Sequence, residues 1–514
     1  MGILLGVDIG TQGAKAVLLN EKLDVIGRVY QEHDLLTPNK PGQMEQNADA
    51  VWWAGFKKVV KKILEKTKVP PADISIVACS AHGPDMLPVS KENIPIRPAL
   101  LYGDTRGEKE VTYIIDTLGR TFLNENSKNT LSTQHTGPKI LWYKNNESEN
   151  YKKTTKVFTA SNYITYKLTD NFVIDYGQAS LYNPFFNYGK RCWDYDVIRE
   201  LGVSENILPE IKKPTEIIGT ITKKAAAETG LKDGTRVSAP TIDGLAEPTS
   251  IGGFRSGAAT LLYGTASSIT ITTKKSSFIE GMMLVPSPVL PDHEMVVGAT
   301  ATAGALNRWF RDNFGYQEKK EENRTNLNAY ELLSKQAKEI PPGSEGLITL
   351  PYFSGERTPI NDNLARGMIL GLTTYHTRAH IYRALLEASA YAFKDNFETI
   401  RSNHINIAQI ISSGGGTNDL VWVQIVSDVL GEDQILLSGI TGAEIGAAYM
   451  AGLASGIIEN LNTIEDKIKE GFRTVNQNKA HHAIYEKYFT VYRSLYRKIK
   501  EEMHTLAYLG SSPY

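Results

Sequence analysis

Three short stretches of the chain carry residues whose types and spacing could act together on a phosphorylated ligand. Near the start Asp8 precedes the turn Gly10-Thr11-Gln12-Gly13, and far downstream Gly264-Thr265 sits in a similar turn between apolar runs. A glycine-rich turn between strands can bind phosphate, because its backbone N–H groups converge on an anion and glycine allows close approach. Two such turns could grip one triphosphate between them. A carboxylate at Asp8 would then stand where a magnesium ion on the phosphates needs an oxygen ligand; the plainer reading is a residue that starts a turn. Asp243, in Thr241-Ile242-Asp243-Gly244, ends an apolar run near the middle of the chain. It is the best candidate for an acid or base reaching into a cleft between two halves, with an ordinary Asp-Gly turn as the alternative. His82, Asp104 and Arg106 offer donors and acceptors of the kind a polyhydroxylated ligand needs, although each alone also serves as a structural polar residue.

The elements that must position these side chains are legible from periodicity. Apolar runs on both sides of the first turn read as a β-hairpin, with a third strand at 25–29, so the chain opens as a β-meander and not as strand-then-helix. From Asn47 the period changes: Val51, Gly55, Val59 and Ile63 form one row, Phe56, Val60 and Leu64 the next, with lysines opposite. That is an amphipathic helix with Asn47 as N-cap, ended by Pro70-Pro71. A buried strand over 74–78 then runs into Cys79-Ser80-Ala81-His82-Gly83, and strand ends commonly reach a cleft. The segment 258–272 repeats strand, Gly-Thr turn, strand about half the chain later, as a duplicated domain would.

In the last third, Thr377 caps a long helix through Ile381, Leu385, Ala388, Ala392 and Ile400, and Ile410-Ile411 runs into Gly414-Gly415-Gly416-Thr417-Asn418. The next helix carries Val421, Ile425 and Val429 and stops at Gly431. Thr441-Gly442-Ala443-Glu444 reads as a capping box, Ile484 to Ile499 as an amphipathic tail helix, and 317–328 as a solvated loop. No GxxxxGKS/T occurs, and no GxGxxG leads from a strand into a helix, so P-loop and dinucleotide-type phosphate sites are disfavoured.

Length and composition bound the rest. A chain of 514 residues is too long for one ordinary domain, and two are expected, at 1–246 and 247–514. With 56 basic and 57 acidic residues, the formal net charge of −1 gives no bulk attraction to nucleic acid or to an anionic membrane, and neither is expected as a partner. No apolar run approaches the roughly 18 to 20 residues that span a bilayer. Two cysteines, Cys79 and Cys192, exclude a disulfide framework, and the start lacks the pattern of a secretory signal. A cytoplasmic protein of small-molecule partners is the expectation, with a homodimer as a candidate assembly.

In order and spacing, Gly6-Val7-Asp8-Ile9-Gly10-Thr11, His82-Gly83, Asp104-Thr105-Arg106, Gly137-Pro138-Lys139, Asp243-Gly244, Gly264-Thr265, 351–359, Gly414–Gly416 and 442–448 form a specific set. With these the chain resembles the FGGY family of carbohydrate kinases, in the actin-like ATPase superfamily, and most of all its xylulokinase branch, along nearly its whole length. The resemblance implies an α/β fold of two actin-like, ribonuclease H-like domains, each a mixed sheet flanked by helices, with the active site in the cleft between them. It implies ATP and Mg2+, and transfer of the γ-phosphoryl group to a sugar hydroxyl. On matching positions, Asp243 accepts the hydroxyl proton and Asp8 organises metal and phosphates. Thr11, Gln12, Gly264 and Thr265 meet phosphoryl oxygens. Gly414, Gly415, Gly416 and Asn418 cradle adenosine, while His82, Asp104 and Arg106, with Asp243, face the sugar.

The departures concern the acceptor: Ser80-Ala81 replace the Gln-Met usual in xylulokinases, and Tyr102-Gly103 stand where Trp-Asn is usual. D-Xylulose is therefore the leading acceptor, with ribulose, gluconate, glycerol or an autoinducer sugar as alternatives and a non-catalytic actin-like module as a different class. Glu356-Arg357 reads more readily as an internal ion pair supporting the cleft than as a substrate contact.

Overall fold

The apolar runs around the first turn pair as strands β1 (Ile3–Ile9) and β2 (Gly13–Leu19), and β3 (Val25–Glu32) completes an antiparallel meander. These come from a computed structural model that describes residues 2–33, 42–274, 276–325, 327–437, 439 and 441–511. Chain order continues through α1 (Ala54–Thr67), β4 (Ile74–Ala81), α2 (Ala160–Thr169), β5 (Ile217–Thr220), β6 (Arg236–Ser238) and α3 (Asp243–Ser250). The second half holds β7 (Ala258–Leu262), β8 (Ser267–Lys274), β9 (Met283–Pro286), β10 (His293–Thr300), α4 (Gly304–Phe314), α5 (Tyr316–Glu322) and α6 (Ala329–Lys338). It ends with α7 (Arg378–Ser402), β11 (Gln409–Ser413), α8 (Leu420–Leu430), β12 (Gln434–Leu437), α9 (Ala443–Ser455), β13 (Phe472–Val475) and α10 (Lys479–Ser511).

The two large sheets have the same wiring. Read across the first, β3-β2-β1-β4-β6-β5 pair antiparallel, antiparallel, parallel, parallel, antiparallel. Across the second, β10-β8-β7-β11-β12-β13 repeat that series, with β9 added at the edge. Helices fall in equivalent places: α1 and α7 before the first parallel partner, α2 and α8 after it, α3 and α9 after the next. One difference marks the repeat as divergent, since β5 precedes β6 in sequence while β13 follows β12. A shared Gly-Thr turn was a short match, but a shared sheet order is a much longer one, and it supports duplication of a ribonuclease H-like unit.

Alternation along β1 decides what faces the cleft. Leu5, Val7 and Ile9 pack with Phe56 and Val60 of α1 and Tyr163 and Ile164 of α2. Leu4 and the alternate residues face the other way, where Leu4, Ile76 and Ala78 pack with Ile445, Ala448 and Ala451 of α9. A helix of the second half thus covers the inner face of the first sheet. It approaches to backbone contact: a Cβ at Gly6 would lie 1.9 Å from the Glu444 carbonyl oxygen, and one at Gly446 would lie 1.8 Å from that of Ala246 in α3. No side chain fits at either crossing.

Three sequence expectations change. Asn47 does cap, accepting from the Ala50 N–H, but the helix begins as a π turn over Ala48–Trp53 before α1, with Trp52 and Trp53 buried. The polar stretch after 316 is not a loop at its start but helix α5, because Glu318 is buried and held by Arg378 and Gln336. Thr441–Glu444 is not a capping box: Gly442 is the N-cap, and Glu444 turns away to pair with Arg28 at 2.5 Å.

Candidate active site

Sheet register brings the acids together. Asp8 on β1 lies beside Ser80 on β4, and Ser80 lies beside Thr241, whose two-residue strand Thr241–Ile242 extends the sheet just before α3. The Ser80 hydroxyl donates to Asp8 at 2.8 Å. One step further, the chain leaves β4 at His82, whose N–H bonds to the Ile9 carbonyl, and enters α3 at Asp243, whose carboxylate accepts from the Gly244 N–H at 2.7 Å. Asp243 is partly exposed, yet the cleft walls surround its carboxyl on most sides. Burial, the neighbouring Asp8 and Glu247 raise it to about 7, against the opposing pull of His82 and the Gly244 N–H. Glu247, one turn on, is likewise raised to about 7 by burial, with Asp8 and Glu444 adding to the effect. Asp8 itself is pushed up by burial, partly offset by Lys15, which sits directly across the hairpin from it.

The expected acceptor side is organised by Gln46, which the sequence did not single out. Its Oε1 accepts from Trp52 Nε1 at 2.7 Å and faces His82 Nε2 at 3.1 Å, and its Nε2 donates to the Thr11 carbonyl at 3.1 Å. One side chain thus links His82 to the first glycine turn. His82 is buried, and its Nδ1 lies 3.1 Å from Asp85, an acid fully enclosed by the protein. Burial pulls His82 down, but Asp85, Asp243 and Asp8 outweigh it, and the net shift is upward. Asp104 accepts from the Met44 N–H at 2.9 Å and takes Arg106 in a fork, with contacts of 2.7 to 3.1 Å. Arg106 also binds Glu45 and stacks on Trp142, with its guanidinium 4.5 Å from the ring centre. Arg106 is therefore committed to protein partners, and its reach toward a sugar runs through Asp104. Gln12 is exposed at the tip of its turn, and Thr11 Oγ1 lies 3.3 Å from the Tyr102 hydroxyl.

The second half contributes a cavity of about 730 Å³. Gly264, Thr265, Gly415, Gly416 and Asn418 all line it, together with Asn307, Arg308, Ser334 and Asp419 from α4, α6 and the start of α8. Gly414 stands just behind, its carbonyl accepting from the Thr417 hydroxyl at 2.7 Å. Volume and lining suit a nucleoside: an apolar wall from Tyr263 and Trp422, and scattered polar groups. The sequence flagged the glycines but not α4 or α6, whose contribution depends on tertiary placement.

The corner 351–359 corrects an expectation. The Glu356 carboxylate accepts from the backbone N–H groups of Ala301 at 2.6 Å and Arg357 at 2.7 Å, and it makes no ion pair with the Arg357 guanidinium. Burial raises Glu356 to about 7 despite those bonds, so it serves the backbone as an acceptor while Arg357 projects elsewhere.

Magnesium fits this donor set. Among the described residues no group of three or more His, Cys, Asp or Glu is placed to hold a metal ion. A magnesium site shared with phosphate needs only one or two carboxylates, and Asp8, Asp243 and Glu247, each raised chiefly by burial, put carboxylate oxygens in the cleft for it.

Residues 3–247 match the N-terminal domain, and residues 259–455 the C-terminal domain, of the FGGY family of carbohydrate kinases. The chain is 25% identical over 502 residues to the xylulose kinase of Bacillus subtilis (strain 168), covering 98% of each. It is 26% identical over 472 residues to the gluconokinase of the same strain, covering 91% of each. It also superposes on the crystal structure of xylulose kinase from Rhodospirillum rubrum with a TM-score of 0.87 at 25% identity, covering 98% of this chain and 100% of that one.

Proposed function

The chain belongs to the FGGY family of carbohydrate kinases, and on that premise we propose that it transfers the γ-phosphoryl group of ATP to a hydroxyl of a ketopentose, with D-xylulose as the leading acceptor. The observation that carries the catalytic assignment is Asp243: it opens α3 in the cleft beside His82 and Asp8, and its carboxyl is raised to about 7. A base of that strength is half ionised near neutrality, which suits removal of a hydroxyl proton. The xylulose assignment rests on relatives of that name and on the acceptor-side residues discussed above; the shorter side chains at Ser80, Ala81 and Gly103 leave aldonates as a second reading, in line with the gluconokinase relative.

In this reading residues 1–246 form the half that carries the sugar groups and the first phosphate turn, and 247–514 the half that carries the second turn and the adenosine cavity. Asp104, held by Arg106, and His82, held by Gln46 and Asp85, orient the acceptor. Thr11, Gln12, Gly264 and Thr265 present donors to phosphoryl oxygens, and Gly414, Gly415, Gly416 and Asn418 hold the nucleoside. Asp8 would hold Mg2+, which when bound neutralises phosphate charge. Phosphoryl transfer has a loose transition state, so positioning and charge neutralisation carry most of the catalysis.

The test is ADP release measured over a panel of ketoses, polyols and aldonates. D-Xylulose should give the highest kcat/KM, and Asp243→Ala should lower kcat by about 10² to 10⁴-fold with little change in sugar affinity. ADP release that no sugar stimulates would sink the kinase reading, and a preferred aldonate would replace the ketopentose.

A further inference from the structure

Arg357 lies on a corner braced from several sides. Glu356 receives the Ala301 and Arg357 N–H groups, Glu356 and Asp362 exchange both backbone hydrogen bonds at 2.8 and 2.9 Å, and the Thr358 hydroxyl bonds to Asn396 and to Ala299. The same segment that braces the corner also closes the second phosphate turn: the Ala303 and Gly304 N–H groups donate to the Thr265 and Gly264 carbonyls, each at 3.0 Å. Tyr102 is a neighbour of Arg357, and its hydroxyl lies 3.3 Å from Thr11 Oγ1 of the first turn. The corner is thus tied to the second turn by backbone hydrogen bonds, and its arginine neighbours the tyrosine that touches the first turn, from the other half of the molecule. Its guanidinium makes no hydrogen bond or ion pair with a described residue, and its side chain remains accessible. The surrounding protein pulls its pKa down, against the opposing attraction of the Glu356 carboxylate. A cation on a braced corner of the cleft, without a bound carboxylate, is positioned for an anion that arrives with the reactants.

We propose that Arg357 contacts the γ-phosphoryl group during its transfer, as a catalytic residue supplied by the second half. The inference rests on the sugar-kinase reading of the site. In the transfer step the bond from the γ-phosphorus to the oxygen bridging the β-phosphate breaks, and its electron pair leaves with ADP. A bond from the γ-phosphorus to the acceptor oxygen forms, and the hydroxyl proton passes to the Asp243 carboxylate. Charge spreads over the three equatorial oxygens, and a guanidinium offers them a planar fork of N–H donors. Asp8, Asp243 and Glu247 carry charge that repels a phosphoryl group, and a cation brought to that group offsets the repulsion. Its action is confined to the step in which both turns hold the same phosphoryl group, so it raises turnover more than ground-state affinity.

The experiment compares the wild-type protein with R357Q and R357K on D-xylulose and D-gluconate, and titrates ADP with and without aluminium fluoride, whose ADP complex mimics the planar phosphoryl group. With any acceptor the wild type uses, R357Q should lose kcat by about 10²-fold while KM and ADP affinity stay within about threefold. Tighter ADP binding in aluminium fluoride should disappear in R357Q and return in part in R357K, and the melting temperature of R357K should match wild type. Three results would overturn the proposal: kcat of R357Q within about threefold of wild type, an unchanged response to aluminium fluoride, or a loss confined to KM for D-gluconate, which would assign Arg357 to an acceptor carboxylate. A wild-type protein inactive on every sugar would instead refute the kinase reading itself.

Discussion

Asp243 and Glu247 sit one helical turn apart near Asp8, and all three are raised by burial first; the charge on Asp8 adds to the rise of Asp243 and Glu247, while Lys15 and the Ser80 hydroxyl oppose that of Asp8. Such an arrangement is costly for the protein alone and becomes useful only when cationic ligands arrive. The sign of the pH effect follows. Between about pH 4 and 7 the folded chain holds a proton on Asp243 that the unfolded chain, with Asp at its ordinary 3.8, has already released. The folded state then binds more protons, so this group makes stability fall as pH rises through that window, and the full cost is present above pH 7. Asp243→Asn should therefore stabilise the ligand-free protein at pH 8 by about 1 kcal/mol or more, with the gain vanishing near pH 4. Thermal melts of both proteins at several pH values would measure it; a gain that grows toward acid pH would contradict the assignment. The same carboxyl sets catalysis, because only its ionised form accepts a proton. Wild-type kcat should drop about tenfold per pH unit below an apparent pKa near 7, shifted downward where bound magnesium lowers it. A flat profile from pH 5 to 8 would remove Asp243 from the base role.

At the scale of elements, the seam between α3 and α9 joins the halves, and it depends on Gly446. With the Ala246 carbonyl oxygen 1.8 Å from the place of a Cβ, even Gly446→Ala forces the helices apart. A loss of about 1 to 3 kcal/mol is expected from overpacking, read as a lower melting temperature, together with reduced turnover because α9 also covers β1 below Asp8. An Ala variant as stable as wild type would show that the seam yields. How far such elements were legible depended on what specified them. The hairpin, the helix behind Thr377 and the stop at Gly431 were written in local periodicity and caps, and the structure bears them out. Helix α5 was missed because its few anchoring contacts, Glu318 to Arg378 and Gln336, come from distant segments. Glu444 was misread for the same reason: a capping-box spelling was overridden by a buried pairing with Arg28, 416 residues earlier in sequence. In the site, the glycine turns stood out through turn chemistry, while Asp8 and Asp243, which alone read equally as ordinary turn residues, stood out through the ordered set of motifs that resembles a known family. Gln46, Asn307 and Asp85 did not, since no local signal distinguishes a polar residue that lines a cleft from one that lies on a surface.

For the whole molecule, the repeated sheet wiring gives the two glycine turns equivalent places in their units. Each turn follows the first strand of its own unit, and the helix that closes each unit, α3 or α9, packs against the other at the centre. Relative rotation of two such units about that seam changes the distance between the turns while leaving each turn intact. Closure has a chemical purpose here, because an open cleft would let water take the γ-phosphoryl group in place of the sugar. Arg357 and Tyr102 come from opposite halves and stand near one another, so their separation is a gauge of that motion. Adding acceptor together with a non-hydrolysable ATP analogue should lower the radius of gyration in small-angle scattering, whereas nucleotide alone should have a smaller effect. Tyr102→Ala should leave the closed state less populated and raise sugar-independent ATP hydrolysis relative to sugar phosphorylation. If calorimetry shows both ligands bound while the radius of gyration is the same with and without them, the two units work as one rigid body, and water must be excluded by the pocket walls alone.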